Sequence, residues 1–422
     1  MVDKMKTVYP DYLEKFTCTA DKCSHCCCHG WEIDIDDYTY KKYMSMQGPI
    51  GSLVQSSITG SGVKHFRLNE KDDCPLLNDK GLCTLCLTYG EESLCCVCHM
   101  YPRFISRYGD TQEISLSLSC EEAARIIISN HRHVHLTEFL PDAASVSASI
   151  SGPVSVPESL NSLISELVDD SDPAVPDHNA DELSPDDIMS VRQDALHILQ
   201  NDDHPITDRT CAFLMYCEDI QALINDEEET PGNLHSHLAF VRKKYMNDDL
   251  FKKISSISVS PALICEGLHT RLDSFDGLEI LGDEWKNVIT KIHRLYDEHS
   301  DSYLCGIHDL GTYIRENEVQ FEQILVYFTT RYFMRAVSDY DIIGKAKFAV
   351  TSLLAICDMM LTRNIMYSDD SRVFNPDDLI DICRIYSGEV EHSEDNIETM
   401  NDEFLFGGIY ETDSLCRMIR YF

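Results

Sequence analysis

Apolar and polar residues alternate in two segments of the N-terminal part of the chain. In residues 31–36 the apolar side chains alternate with acidic ones, and in residues 114–118 they alternate with serine. A period of two is typical of a half-buried β-strand. The stretches at 60–62 and 78–81 combine glycine with polar residues, which favours turns. This part of the chain is therefore predicted to be irregular, with short strands.

A helical spacing of apolar residues replaces this pattern from residue 186 onward. Helices are predicted over residues 186–200, 208–225, 233–245, 319–337 and 342–362. In the last of these, Val350, Leu353 and Leu361 share one helical face with Cys357. Cys357 is therefore predicted to be a core residue and not a metal ligand.

Composition divides the chain into three parts. Residues 136–187 are rich in Ser, Pro, Asp and Ala, which indicates an acidic linker or a loosely ordered insertion. We expect a cysteine-rich domain over residues 1–135 and a helical domain over residues 188–422. The predicted fold class is α+β, mostly α, with a small irregular N-terminal domain containing short strands and a larger helical C-terminal domain.

A helix start is predicted after the second alternating segment. Ser119 is followed three residues later by Glu122, which is the spacing of a capping box. This would place Cys120 in the first helical turn, where the helix dipole and exposed N–H groups favour a thiolate. The alternative is that Cys120 packs there as a small apolar side chain.

The formal net charge of −37 limits the classes of partner. Phosphate backbones need a basic surface, and the chain has no dense run of Lys and Arg, so no nucleic-acid partner is expected. An acidic surface can steer a lysine-bearing protein substrate, although the same acidity also serves solubility.

No membrane or secretory segment is predicted. The chain begins with charged residues that lead into Tyr9 and Pro10, unlike a signal peptide. The most apolar stretch, residues 348–361, contains Thr351, Ser352 and Asp358, so it is too short and too polar to span a bilayer. A cytoplasmic location without membrane association is therefore expected.

Cysteine is concentrated at the N-terminus, where 12 of the 19 cysteines fall within the first 120 residues. Because cytosolic thiols are kept reduced, such clusters favour metal binding over disulfides. Two C-x2-C pairs, Cys83 with Cys86 and Cys95 with Cys98, could bind zinc. An iron–sulfur cluster also uses four cysteines and accepts ligands from distant loops. Spacing alone leaves zinc and iron–sulfur open.

Three N-terminal blocks carry a resemblance to a known family. They are residues 16–36 around the first cysteines, residues 74–103 ending in Tyr-Pro-Arg, and residues 113–125. These blocks resemble the flagellin lysine-N-methylase family and, more broadly, cysteine-rich domains that chelate zinc or iron. Residues 331–333 and 347–350 resemble the helical part of the same family.

The resemblance implies an enzyme that transfers methyl groups from S-adenosylmethionine to lysine on flagellin, with the helical domain binding donor and substrate. It also implies a [4Fe–4S] cluster, with zinc as the alternative. About four of the matched cysteines would bind it, and these are Cys18, Cys23, Cys27, Cys28, Cys74, Cys83, Cys95, Cys98 and Cys120. Cys26, Cys86 and Cys96 have no counterpart in the family pattern.

The donor site has no familiar signature, since both the glycine-rich Rossmann motif and the cysteine triplet of radical enzymes are missing. Tyr101 and Tyr332 are candidate catalytic residues. Arg103 and Arg331 are candidates for holding the donor carboxylate, and Trp31 for lining the donor or substrate slot. Core packing and structural ion pairs are the alternatives for these five.

A second interpretation has no catalysis: a metal-chelating binding protein, or a flagellar interaction protein. The oligomeric state is not defined by the sequence.

Overall fold

The computed structural model describes residues 5–19, 22–24, 27–28, 33–71, 73–139, 184–226, 231–367, 373–406 and 408–422. Within these ranges the fold is mostly helical, with short strands confined to the N-terminal part, which confirms the predicted class. The strands are β1 (Lys6–Pro10), β2 (Asp34–Ile35), β3 (Ile58–Thr59), β4 (Lys64–Phe66), β5 (Arg103–Tyr108), β6 (Thr111–Leu116) and β7 (Leu136–Phe139).

Short helices accompany these strands. They are α1 (Asp37–Ser45), α2 (Gly48–Ser57), α3 (Thr84–Tyr89), α4 (Cys96–Met100) and α5 (Glu121–Ile128). The C-terminal part contains α6 (Pro185–Leu199), α7 (Ile206–Ile224), α8 (Pro231–Tyr245), α9 (Asp248–Ser255), α10 (Pro261–Asp276), α11 (Asp283–Glu316), α12 (Glu318–Tyr332), α13 (Ala336–Asp339), α14 (Ile342–Tyr367), α15 (Pro376–Val390), α16 (Glu394–Glu403) and α17 (Thr412–Ile419).

The strands form two small sheets. One has the order β5-β6-β1-β7, in which β1 and β6 are parallel and the other pairs antiparallel. The other has the order β2-β4-β3 and is antiparallel. Ile35 pairs with Lys64 in this second sheet, and Ile114 pairs with Ile105 in the first. The alternating segments therefore form strands at residues 34–35 and 111–116, while residues 31 and 32 lie outside the described ranges.

The buried residues fall into two hydrophobic cores. The smaller core lies within residues 28–98 and includes Ile33, Tyr43 and Phe66. The larger core joins the four-stranded sheet and α5 to the helices of the C-terminal part. We call residues 16–103 the cysteine-rich lobe, and the helices from α6 onward the helical lobe. The sheet of β1 and β6 thus shares its core with the helical lobe, and the predicted domain boundaries stay a prediction.

A buried ion pair joins the four-stranded sheet to the helical lobe. Arg192 on α6 donates to both carboxylate oxygens of Glu113 on β6, at 2.7 and 2.5 Å. The guanidinium is almost fully buried and the carboxylate nearly so. Such bidentate pairs fix orientation as well as distance, so the sheet is held in one position against the helices.

The helices predicted in the C-terminal part are observed with shifts of a few residues at their ends. The prediction for 319–337 is interrupted, because α12 ends at Tyr332 and a 3₁₀ turn over Phe333–Arg335 leads into α13. Cys357 is 1% exposed in the core of α14, which confirms its predicted role. Among the described residues, no helix is long and apolar enough to cross a membrane.

Candidate functional site

A cavity of about 360 Å³ lies in the cysteine-rich lobe, and Ser119, Cys120, Glu121 and Arg384 from outside that lobe also line it. Cofactor and substrate pockets occupy about 300–1,000 Å³, so the volume suits a bound group. Eight of the nine cysteines selected from the sequence line the cavity, namely Cys18, Cys23, Cys27, Cys28, Cys74, Cys83, Cys98 and Cys120. The ninth, Cys95, is fully buried beside Cys98.

Hydrogen bonds to the backbone hold the cysteine-bearing segments together. Asp36, the N-cap of α1, accepts the Thr39 N–H at 2.8 Å with one oxygen and the Cys96 N–H at 3.0 Å with the other. Burial acts to raise the pKa of Asp36, but these N–H groups outweigh it, and the pKa lies below its usual value. The Cys74 N–H donates to the Cys28 carbonyl at 2.9 Å. Segments distant in sequence therefore meet at one site.

The chain reverses at Gly90, and this turn brings a carboxylate to the cavity. Gly90 ends α3 with a φ of 81°, in the left-handed region that favours glycine. Its N–H donates to the Cys86 carbonyl at 2.8 Å. The next residue, Glu91, lines the cavity, as does Glu121 at the start of α5. The cavity therefore combines thiols with acidic groups.

Three cysteines, Cys74, Cys83 and Cys95, lie near Cys98, and we call these four residues the thiol quartet. A hydrogen bond with Cys95, burial, and the neighbouring thiols of Cys74 and Cys83 raise the pKa of Cys98 well above its usual value. The same hydrogen bond lowers the pKa of Cys95. Burial and three of these thiols raise the pKa of the Tyr43 phenol, which lies beside them.

A second set of thiols, Cys23, Cys27 and Cys120, lines the same cavity. Cys23 Sγ lies 3.1 Å from Thr19 Oγ1, and Cys27 Sγ lies 3.9 Å from Cys28 Sγ. Cys23 and Cys27 both lie near enough to Cys120 to raise its pKa.

The predicted capping box at the start of α5 is wrong. The helix begins at Glu121, Cys120 is its N-cap, and no side chain caps it. The expectation of a stabilised thiolate is also wrong. Burial raises the pKa of Cys120 to about 12, and hydrogen bonds from the N–H groups of Ala123 and Glu122 do not offset this effect.

This donor set fits a thiolate-bound metal centre. Buried thiols with raised pKa values keep their protons at neutral pH, and a bound metal supplies the positive charge that displaces them. Four neighbouring thiols match the number of ligands that a structural zinc ion or a [4Fe–4S] cluster takes. The grouping differs from the C-x2-C spacing in the sequence, because Cys74 joins Cys83 and Cys95 among the thiols that raise the pKa of Cys98. Cys86 lies instead near Cys83, Cys18 and Cys27.

Arg103 places a guanidinium in the cavity wall. Its charged group stacks over the Phe16 ring, 4.9 Å from the ring centroid. Burial lowers the pKa of Arg103, and the nearby Glu91 acts in the opposite direction. Arg103 forms no ion pair with any residue in the described ranges. It is therefore available to bind an anionic group of a ligand.

The remaining predicted site residues do not all lie at the cavity. Tyr101 lines the cavity, whereas Tyr332 is 1% exposed in the larger core, where it donates to Glu391 at 2.6 Å. Arg331 is absent from the described cavity wall and stacks over the Phe104 ring at 4.0 Å. Trp31 lies outside the described residues.

Sequence reasoning missed two residues from the helical lobe. Arg384 on α15 lines the cavity and pairs with Asp381 and Glu284. His392 lies just beyond α15 and bonds to Ser119 at 2.8 Å. No sequence signal marks either residue, since both lie more than 260 residues from the cavity segments that they join.

Comparison with known proteins gives a consistent picture. The model of the FliB lysine N-methylase C-terminal domain matches residues 192–418, more than half of the chain. No solved structure matches.

Curated relatives match over shorter regions. The flagellar biosynthetic protein FliU of Salmonella muenchen is 31% identical over 128 residues, 29% of this chain and 76% of that protein. The lysine-N-methylases of Salmonella typhimurium LT2 and Salmonella choleraesuis SC-B67 are each 30% identical over 136 residues. Those alignments cover 31% of this chain and 34% of each methylase, so about a third of their length is matched. With the family model spanning residues 192–418, the chain belongs to the FliB lysine N-methylase family.

Proposed function

We propose that this protein transfers methyl groups from S-adenosylmethionine to lysine ε-amino groups of flagellin, beside an iron–sulfur cluster held in the cysteine-lined cavity. The observation that carries the proposal is the cavity itself. It combines converging thiols with a guanidinium that has no carboxylate partner among the described residues. Family membership supports lysine methylation, and the flagellar name of one relative supports a flagellin substrate.

The thiol quartet would hold a [4Fe–4S] cluster. All four members belong to the predicted set, and they converge from the Cys74–Cys83 loop and from the start of α4. A bound cluster would supply a fixed charged centre that orders the loops of a lobe with a small core. The second set, Cys23, Cys27 and Cys120, would then not bind the cluster and would line the rest of the cavity as thiols.

Arg103 would bind the carboxylate of the donor. A guanidinium presents parallel N–H donors that match both oxygens of a carboxylate. Glu91 provides negative charge in the same cavity, which suits the donor's sulfonium and the ammonium of an incoming lysine, whereas Glu121 is already paired with Arg125 at 3.1 Å. The net charge of −37 would attract a lysine-bearing surface over longer distances.

Methyl transfer then needs a neutral amine. The amine lone pair attacks the methyl carbon, the sulfur–methyl bond breaks, and its electron pair stays on sulfur, leaving S-adenosylhomocysteine. The positive charge moves from sulfur to the methylated nitrogen, so no oxidant or reductant is consumed. Aromatic rings such as Tyr43 and Tyr101 in the cavity wall would stabilise the cationic groups by cation–π attraction.

The deciding experiment combines cluster analysis with a methylation assay. Anaerobically purified protein should contain about four iron atoms and absorb broadly near about 400 nm. With S-adenosylmethionine and flagellin it should increase the mass of flagellin by whole methyl groups. If protein with an intact metal centre produces no mass gain on flagellin, the proposed function fails and a non-catalytic metal-chelating protein is favoured.

Cysteine variants test the ligand assignment. Cys98→Ser should lose most of the iron, whereas Cys120→Ser should keep it. Cys305→Ser, at an exposed position in α11, is the matched control. Stoichiometric zinc in place of iron would assign the quartet to zinc instead.

A further inference from the structure

A chain of hydrogen bonds leads from the cavity to the protein surface. Tyr101 Oη lies 3.1 Å from Ser119 Oγ, and both residues line the cavity. Ser119 Oγ lies 2.8 Å from Nε2 of His392, a solvent-exposed residue whose ring also packs against Tyr101 and Phe104. These two hydrogen bonds therefore link the cysteine-rich lobe to the helical lobe.

The hydroxyl protons in this series of hydrogen bonds can all point in one direction. Ser119 has one hydroxyl proton and two lone pairs, so it can donate to a His392 Nε2 without a proton while the Ser117 hydroxyl, whose Oγ lies 2.7 Å away, donates to it. This arrangement requires the tautomer of His392 that carries its proton on Nδ1. Ser119 then accepts from the Tyr101 hydroxyl, and every bond points from the cavity toward His392.

Desolvation and one nearby positive charge favour a neutral imidazole at His392. Desolvation against the rings of Tyr101 and Phe104, followed by the positive charge of Arg331, lowers the pKa of His392. The neighbouring carboxylate of Glu394 is paired with Arg335 at 2.8 Å. A buried carboxyl, Glu391, precedes His392 and accepts hydrogen bonds from Tyr327 and Tyr332.

A lysine substrate arrives with a proton that must leave. The unperturbed ammonium has a pKa of about 10.4, so it is almost fully protonated at neutral pH and has no lone pair. The phenol of Tyr101 cannot act alone as a base, because burial raises its pKa well above the usual value. The phenol can pass a proton along only if a second group accepts one.

We propose that Tyr101, Ser119 and His392 form a proton relay that deprotonates the substrate lysine before methyl transfer. This inference rests on the proposed function of the same cavity. Tyr101 would be the group that meets the ammonium, and Ser119 and His392 would act through it.

The step is balanced within these groups. The ammonium gives one proton to Tyr101 Oη, Tyr101 gives its hydroxyl proton to Ser119 Oγ, and Ser119 gives its proton to Nε2 of His392. One neutral amine and one imidazolium result, and both hydroxyl groups are regenerated. The exposed imidazolium then releases a proton to water, so no further reactant is needed.

The test compares methylation rates of the full chain and its variants between about pH 7 and pH 9. His392→Ala should lower kcat about 100-fold at pH 7, within the range for acid–base groups. This defect should shrink at least about tenfold by pH 9, because more of the lysine is then already neutral. Imidazole in the buffer should restore activity to His392→Ala, since the position is exposed.

Two further variants distinguish a relay from a structural role. His392→Gln can keep the hydrogen bond to Ser119 but accepts no proton, so it should stay slow. Ser119→Ala should show the same pH-dependent defect without rescue by imidazole. His293→Ala, an exposed histidine paired with Asp276, is the control that should remain at the wild-type rate. Iron content and S-adenosylmethionine affinity should be unchanged in all of them.

The outcomes separate the two proposals. If the wild-type protein transfers no methyl group, the proposed function fails and the relay fails with it. If the wild type is active and His392→Ala matches it, or shows a defect that is constant with pH and not rescued by imidazole, the relay alone is overturned.

Discussion

Replacing Glu389 by Gln measures how much a buried carboxyl group between α15 and the start of α11 lowers the free energy of unfolding. Glu389 is 3% exposed, and its Oε1 accepts the Leu281 N–H at 2.7 Å. Burial raises the pKa of Glu389 to about 7, and the N–H groups of Leu281 and Gly282 offset only part of this effect. The folded protein therefore holds this proton more tightly than the unfolded chain does.

The sign of the pH dependence follows from this difference. Because the folded pKa of about 7 lies above the usual value of 4.5, the stabilisation is fully present below about pH 4.5 and is lost as the pH rises through about 7. The difference corresponds to about 3 kcal/mol as an upper limit. Glutamine keeps the size and the acceptor oxygen without the charge. Glu389→Gln should therefore increase the free energy of unfolding by about 1–3 kcal/mol at pH 8 and change it little at pH 4.5.

Urea unfolding of the metal-loaded protein, followed by circular dichroism at about pH 8, 6 and 5, measures this difference. Glu398→Gln, at an exposed position on α16, is the matched control for the loss of one negative charge. The reasoning is refuted if the two variants have equal stability at pH 8. It is also refuted if the advantage of Glu389→Gln is larger at pH 5 than at pH 8.

Three further predictions concern charged side chains. Arg103→Gln should weaken S-adenosylmethionine binding at least about tenfold by calorimetry with little change in melting temperature, because Arg103 forms no ion pair within the described ranges; unchanged affinity would remove it from the donor site. Arg271 is buried and bonded to Asp358 at 2.6 Å. Asp358→Asn should lower the free energy of unfolding by about 3 kcal/mol, because it leaves this guanidinium without a counter-charge. A loss below about 1 kcal/mol in urea titrations would contradict this. Lys252→Ala should leave the melting temperature unchanged at physiological salt, because its ion pair with Asp249 is exposed on both sides; a clear drop in calorimetry would show that this surface pair matters.

Patterns in the sequence predicted those elements whose formation depends on residues that are close together along the chain. The alternation at 114–118 predicted part of β6, and the helical spacing around Cys357 predicted a buried face of α14. The capping box at Ser119 failed because a neighbouring serine and a distant histidine compete for its hydroxyl. Ser119 Oγ bonds to Ser117 at 2.7 Å and to His392 at 2.8 Å, so it does not cap α5.

Spacing alone could not group the thiols. The C-x2-C pairs suggested Cys83, Cys86, Cys95 and Cys98, whereas the fold places Cys74 near Cys83, Cys95 and Cys98. Cys74 joins them because the Cys74–Cys83 loop folds back on itself, with the Thr84 N–H donating to the Leu76 carbonyl at 2.8 Å. Such a loop closure depends on the tertiary structure, and no periodicity in the sequence encodes it.

The position of the cavity depends on both lobes through one short helix. The N-cap of α5, Cys120, lines the cavity, while Ala124 and Ile127 on the same helix are fully buried in the larger core. Helix α5 packs against α15, which carries Arg384 into the cavity wall and leads to His392. Because packed helices deform little, this contact sets the distance between the cysteine segments and the groups contributed by the helical lobe. A family model that covers only the helical lobe therefore still describes a part of the protein that shapes the cavity.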